Sequence, residues 1–155
     1  DLNKCRCSQN QIHHYLGKIS GPILDRIDIC VEVEKVNYDD LQTGLAEESS
    51  EKIRERVCRA RKIQRERYKD RGILTNSQLG AADMEAVCRL GMKERKLMRQ
   101  KFSQMDLTAR TYYKVLGVAR TIADLEGEEE MKEIHLKEAL SYRMVDKKSW
   151  ERSDI

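Results

Sequence analysis

The chain has 155 residues, enough for one ordinary domain or for a lid-sized helical domain with an attached fragment. Charged side chains make up 37% and aromatics 5%, with one Phe and one Trp, so a core must come from Leu, Ile, Val, Ala and Met, which favours packed helices over a sandwich or barrel. With 30 basic against 27 acidic side chains the net charge is +3, too small a surplus to mark a global polyanion binder, and no apolar run approaches the roughly 20 residues that cross a bilayer.

The first residues, Asp1 to Cys7, lack the apolar stretch of a signal peptide, and the five cysteines, Cys5, Cys7, Cys30, Cys58 and Cys88, are odd in number. A soluble, cytoplasmic protein with reduced thiols is expected. The chain starts without Met and opens on Cys5-x-Cys7, as though cut from something longer.

Ser8 can cap a short helix carrying Ile12, Tyr15, Leu16 and Ile19, which Gly21-Pro22 breaks. Ile27, Ile29, Val31 and Val33 then alternate with Asp28, Cys30, Glu32 and Glu34, the period of a strand with one buried face. No partner strand is evident, so its sheet is expected upstream. Asn37 to Glu48 reads as an acidic connector. From Ser49 or Ser50 a long helix is predicted to about Arg71, with Ile53, Val57, Ala60 and Tyr68 on one side and Gly72 as its stop.

Two shorter helices follow, one through Met84, Val87 and Leu90 closed by Gly91, the other carrying Leu97, Met98 and Phe102. The clearest element is capped by Thr108 and ended by Gly127, with Tyr112, Val115, Leu116, Ala119, Ile122 and Ala123 as its apolar stripe. A last helix runs through Ile134, Leu136, Ala139, Leu140 and Tyr142. The fold expected is mainly α: an antiparallel helical bundle preceded by one strand. Its divisions are 1–36 with the strand, 37–48 as linker, 49–148 as the helical domain and 149–155 as a tail.

Chemistry concentrates in Ser20-Gly21-Pro22-Ile23-Leu24-Asp25-Arg26-Ile27-Asp28-Ile29. An arginine after a short helical turn and before a strand can project a rigid fork of donors suited to phosphate oxygens, or it can be ion-paired by Asp25 and Asp28. Arg110 sits in the first turn of the Thr108-capped helix, where backbone N–H groups and the helix dipole favour anions. Arg120 lies further along that helix, one turn from Asp124. From Glu51 to Arg71 ten basic residues stand against four acidic ones, which fits a solvated helix with i,i+4 pairs or a face for DNA. No G-x-x-x-x-G-K-[ST] occurs, since the sole Gly-Lys pair, Gly17-Lys18, is followed by Ile19.

The string S-G-P-I-L-D-R-I-D-I, with C-R-C at Cys5 to Cys7 and A-R-T-I-A-D-L-E-G at Ala119 to Gly127, resembles the Mg-chelatase-like ComM/YifB family of AAA+ ATPases, at its C-terminal part. The resemblance implies the end of an ATPase core plus an AAA+ lid. It makes Arg26 an arginine finger acting on a neighbouring subunit's ATP, and Arg110 a sensor-2 residue, with Arg120 as the alternative. It also implies ATP and Mg2+ in a homo-oligomeric, hexameric parent that remodels DNA, by helicase or branch-migration activity. A magnesium chelatase ATPase subunit and a stand-alone helical DNA-binding module are the other readings. The family's second Cys-x-Cys pair is missing here, so Cys5 and Cys7 are not expected to hold zinc in this chain, which lacks a P-loop and should be inactive alone.

Overall fold

The computed structural model describes residues 6–18, 21–33, 38 and 48–151, apart from the side chains of residues 9, 13, 16, 21 and 144–151. Among the described residues there are seven α-helices and no strand: α1 (Gln9–Leu16), α2 (Gly21–Leu24), α3 (Ser50–Tyr68), a 3-10 turn (Asn76–Gln78), α4 (Ala81–Val87), α5 (Met92–Gln104), α6 (Ala109–Glu126) and α7 (Glu133–Glu151). No described helix is long and apolar enough to cross a membrane.

Local chemistry sets the helix ends. Ser8 Oγ accepts from the Gln11 amide at 3.4 Å while the Gln11 side chain accepts from the Ser8 amide at 2.8 Å, a reciprocal box that opens α1. Ser49 caps α3 by accepting from the Lys52 amide, and Thr108 caps α6 by accepting from the Thr111 amide. Gly127 closes α6 with φ +76°, its own amide reaching Asp124 O and the Glu128 amide reaching Ala123 O, the two bonds of a left-handed helix stop. Gly91, expected to close a helix, instead precedes α5 as its N-cap, and α4 ends earlier, at Val87.

Helix α6 is the centre of the bundle. It packs on α7, α3, α4 and the 3-10 turn. Its Val115, Leu116, Ala119, Ile122 and Ala123 meet Leu136, Ala139 and Leu140 of α7, Met84 and Cys88 of the α4 end, and Met98 of α5. The stripe read from the sequence is therefore the core stripe, because a period near 3.6 keeps these positions on one face. In α7 the face differs from expectation at one residue: Ile134 is 62% exposed while its neighbour His135 is buried. His135 Nδ1 accepts from the Lys132 amide at 3.0 Å, leaving Nε2–H to donate to Glu126 at 2.9 Å, so the ring is used to start the helix.

The strand expected from Ile27 to Glu34 does not form over the described residues 27–33. A strand needs a neighbouring ladder for its amides and carbonyls. None is present among the described residues, and the segment lies on helices instead, with the Cys30 amide donating to Tyr142 O at 3.2 Å. Ile27, Ile29, Val31 and Val33 stay exposed. Most of the expected connector, Glu34, Cys5 and the end of the tail lie outside the described residues.

Leu136, fully buried, and Ile134, exposed, make a paired test of this register. Leu136→Ala should cost about 2–5 kcal/mol in urea unfolding, and Ile134→Ala less than about 0.5 kcal/mol. Comparable losses at both positions would contradict the orientation of α7.

Candidate functional site: two exposed arginines and a buried carboxylate

Arg26 lies in the turn after α2. Its side chain is exposed, and Nη1 donates to Pro22 O at 2.6 Å across that turn. Neither flanking carboxylate pairs with it. Asp25 accepts from Thr111 Oγ1 at 3.3 Å and lies 4.0 Å from Arg143 Nη2, while Asp28 pairs with Lys114. The alternative in which Asp25 and Asp28 neutralise Arg26 is therefore not the arrangement found. The guanidinium faces solvent with most of its donor fork open.

Arg110 is exposed in the first turn of α6, with no ion pair or side-chain hydrogen bond among the described residues. It lines a groove of about 640 Å³ together with Asp28, Ile29, Lys114, Val118 and Tyr142. Lys114 follows it by one turn on the same face of α6. The site thus brings the Arg26 turn and the N-terminal end of α6 together.

Arg120 is elsewhere, about 15 Å further along the same helix. It is buried, and all three of its nitrogens are engaged: Nε with Asp124 Oδ1 at 3.1 Å, Nη1 with Glu129 O at 2.7 Å and Nη2 with Glu128 O at 2.5 Å. The i,i+4 pair weighed in the sequence is present, and the remaining donors satisfy carbonyls just past the α6 stop.

Asp124 is 1% exposed and gathers five donors. Arg67 grips it with both Nη atoms, at 2.5 and 3.0 Å; Gln64 reaches it at 3.1 Å, Asn76 at 2.9 Å and Arg120 at 3.1 Å. Asn76 also donates to Thr121 and accepts from Tyr68 Oη at 2.6 Å. Burial pushes the Asp124 carboxyl up, but the hydrogen bonds of Arg67 and Asn76 and the charges of Arg120 and Arg67 outweigh it and hold the group below its ordinary value. Burial alone would lower Arg67, yet its bond to Asp124 raises it instead.

Sequence reasoning passed over Arg67, Asn76, Thr111, Lys114 and Arg143. Arg67 had a signal, since it shares the inward stripe of α3 with Ala60 and Gln64, where a charge implies a buried partner. Lys114 had one too, four residues after Arg110.

Residues 47–143 match the family described as magnesium chelatase, subunit ChlI C-terminal. The chain belongs to that family. Residues 1–41 match the preceding magnesium chelatase, subunit ChlI, family, so the Arg26 turn and the helical bundle fall in separate matched units. Competence protein ComM of Haemophilus influenzae is 40% identical over 141 residues, 90% of this chain and 27% of the relative. Proteins named YifB from Salmonella typhimurium and Escherichia coli are each 32% identical over 146 residues, 94% of this chain and 28% of the relative. The chain therefore spans about a quarter of the length of the curated relatives it matches.

Folding depresses the Asp124 pKa below its unfolded value of about 3.9. Its stabilisation is then complete above that value and drains away as pH falls through the folded pKa. Asp124→Asn should cost about 3–5 kcal/mol near neutrality, because two guanidiniums are left in place without their carboxylate. Urea midpoints taken from about pH 5 down to about pH 2 should fall more steeply for the native chain than for the variant. Parallel acid profiles would show that Asp124 is not the group responsible.

Proposed function

We propose that this chain is the arginine-finger turn and lid of an ATP-hydrolysing ring enzyme, in which Arg26 serves the nucleotide of an adjoining subunit and Arg110 the nucleotide of its own subunit. The observation that carries the reading is the freedom of the Arg26 guanidinium, whose two flanking carboxylates are occupied by Thr111, Arg143 and Lys114. A finger must keep its charge uncompensated until phosphate arrives. Arg110 meets the same requirement at a helix N-terminus, where the backbone already favours anions.

The fit is to the phosphate end of a nucleotide. Both arginines offer donors only. Among the described residues no three His, Cys, Asp or Glu side chains converge on a point that could hold Mg2+. The sequence also lacks the Gly-rich Lys loop, so the remainder of the nucleotide and its metal fall to other parts of a longer protein. In the transfer step the γ-phosphoryl group carries developing negative charge, and a guanidinium in reach stabilises it by an amount worth about 10³ to 10⁵ in rate in other NTPases. Arg120 takes no part at the nucleotide in this reading: its donors are spent inside the bundle, and its contribution is to hold α6.

DNA is the substrate we infer, remodelled by a homo-oligomer, a hexamer in this reading. Its support is the outer face of α3, where Lys52, Arg54, Arg59, Arg61, Lys62 and Arg65 are exposed and make no ion pair with a described residue. The i,i+4 pairs that would make this an ordinary solvated face are absent among the described residues. The matched family description favours a second reading, in which the same parts drive metal insertion into a porphyrin. Stimulation of ATP turnover by DNA separates the two.

In the whole protein, Arg26→Ala should cut ATP turnover by about 10³ or more, with nucleotide affinity held within a few-fold. Mixing that variant with a subunit dead in its own nucleotide site should restore part of the activity. Normal turnover by Arg26→Ala rejects the finger.

A further inference from the structure

Between Asp25 and Cys30 the backbone or side chain of five of six consecutive residues is held by the bundle. Asp25 accepts from Thr111, and Arg26 O accepts from Lys114 Nζ at 2.9 Å. Ile27 O accepts from Arg143, Asp28 pairs with Lys114, and the Cys30 amide reaches Tyr142 O. Ile29, the sixth, lines the groove shared with Arg110. The Arg26 guanidinium, tied through Nη1 to Pro22 O within its own turn, keeps its other donors open to solvent.

Lys114 stands at the middle of this arrangement. It grips the carbonyl of the arginine itself and neutralises the nearest acid downstream of it. It also sits one turn from Arg110, on a helix whose far half is locked by the Asp124 network. Arg143 is 4% exposed and supplies the matching grip from α7.

We infer that Lys114, seconded by Thr111 and Arg143, is a positioning residue that yokes the Arg26 turn to the lid helix bearing Arg110, so that the two arginines move as one body. A lid that swings as its own nucleotide site fills or empties would then carry Arg26 toward or away from the neighbouring subunit's nucleotide. Lys114 has a second effect by the same contact: while it occupies Asp28, that carboxylate is not available to capture Arg26 and quench its charge. This inference rests on the proposed roles of Arg26 and Arg110 and adds the residues that link them.

The pair Lys114–Asp28 is a poor source of stability, because Asp28 is largely exposed and solvent screens the attraction. A purely structural role therefore predicts little consequence of removing it, whereas a positioning role predicts a kinetic one. In the whole protein, Lys114→Ala should lower kcat by about tenfold to a hundredfold, since displacement of a catalytic group by about 1 Å has that effect. KM for ATP and the melting temperature should be unchanged, and Lys114→Arg, which keeps a cation in reach of both acceptors, should recover most of the loss. Asp28→Asn, measured beside it, tests the same contact from the other partner and should lower kcat without changing KM. If Arg26→Ala is inactive while Lys114→Ala and Asp28→Asn turn over normally, the yoke is overturned and the finger survives. If Arg26→Ala itself turns over normally, the proposed function fails and takes the yoke with it. A raised KM in Lys114→Ala, not rescued by Lys114→Arg, would also overturn the yoke, placing Lys114 in nucleotide binding instead.

Discussion

A single buried carboxylate organises this domain. Taking Asp124 out of water would be prohibitive without partners, and five donors from four residues supply them. Those residues come from α3, the 3-10 turn and α6 itself, so satisfying one charge fixes three elements in a common frame. Arg120 extends the frame by carrying two donors onward to the carbonyls of Glu128 and Glu129. The polar network does what apolar packing alone does poorly: it selects one angle and one register from the many a Leu- and Ala-rich bundle could adopt.

The consequence is a helix with two unlike ends. The C-terminal half of α6 is buried and tied by charge, whereas its N-terminal turns, capped by Thr108, bury Val115 and Leu116 on one side and turn the polar side with Arg110 and Lys114 toward the Arg26 turn. A rod packed along one side and locked at its far end makes the open side of its first turns a reliable place to present side chains. Arg110, Thr111 and Lys114 occupy that end, while Arg120, on the same rod, serves the anchor. Residues that look alike in the sequence thus divide into presented and spent according to which half of α6 they occupy.

Much of this was legible in the sequence, and the residues show why. The α6 stripe and both of its caps were readable because each is a local pattern, complete within one or two turns. The Arg120–Asp124 pair was readable for the same reason. The strand was not, because alternation describes only which side chains could share a face, while a strand exists only where another chain segment completes its hydrogen bonds. Ile134 misled because the apolar residue was taken as the inward one, whereas His135 earns its burial with two hydrogen bonds. Contacts across 86 and 116 residues, Lys114 with Asp28 and Arg143 with Ile27, leave no periodic trace at all.

Among the described residues, helix α3 meets the bundle through its second half, at Ala60, Gln64, Arg67 and Tyr68. Its stripe continues backwards through Val57 and Ile53, yet these are 43% and 42% exposed, so the apolar edge outruns the domain that it belongs to. The overhang from Ser50 to Arg59 is about 15 Å long. Pivoted at its anchored half, such an arm magnifies motion: a tilt of about 10° at the pivot sweeps the tip through roughly 3 Å, the span of one hydrogen bond. Geared in this way, a rotation too slight to disturb the core is large enough to make or break contacts at the far end.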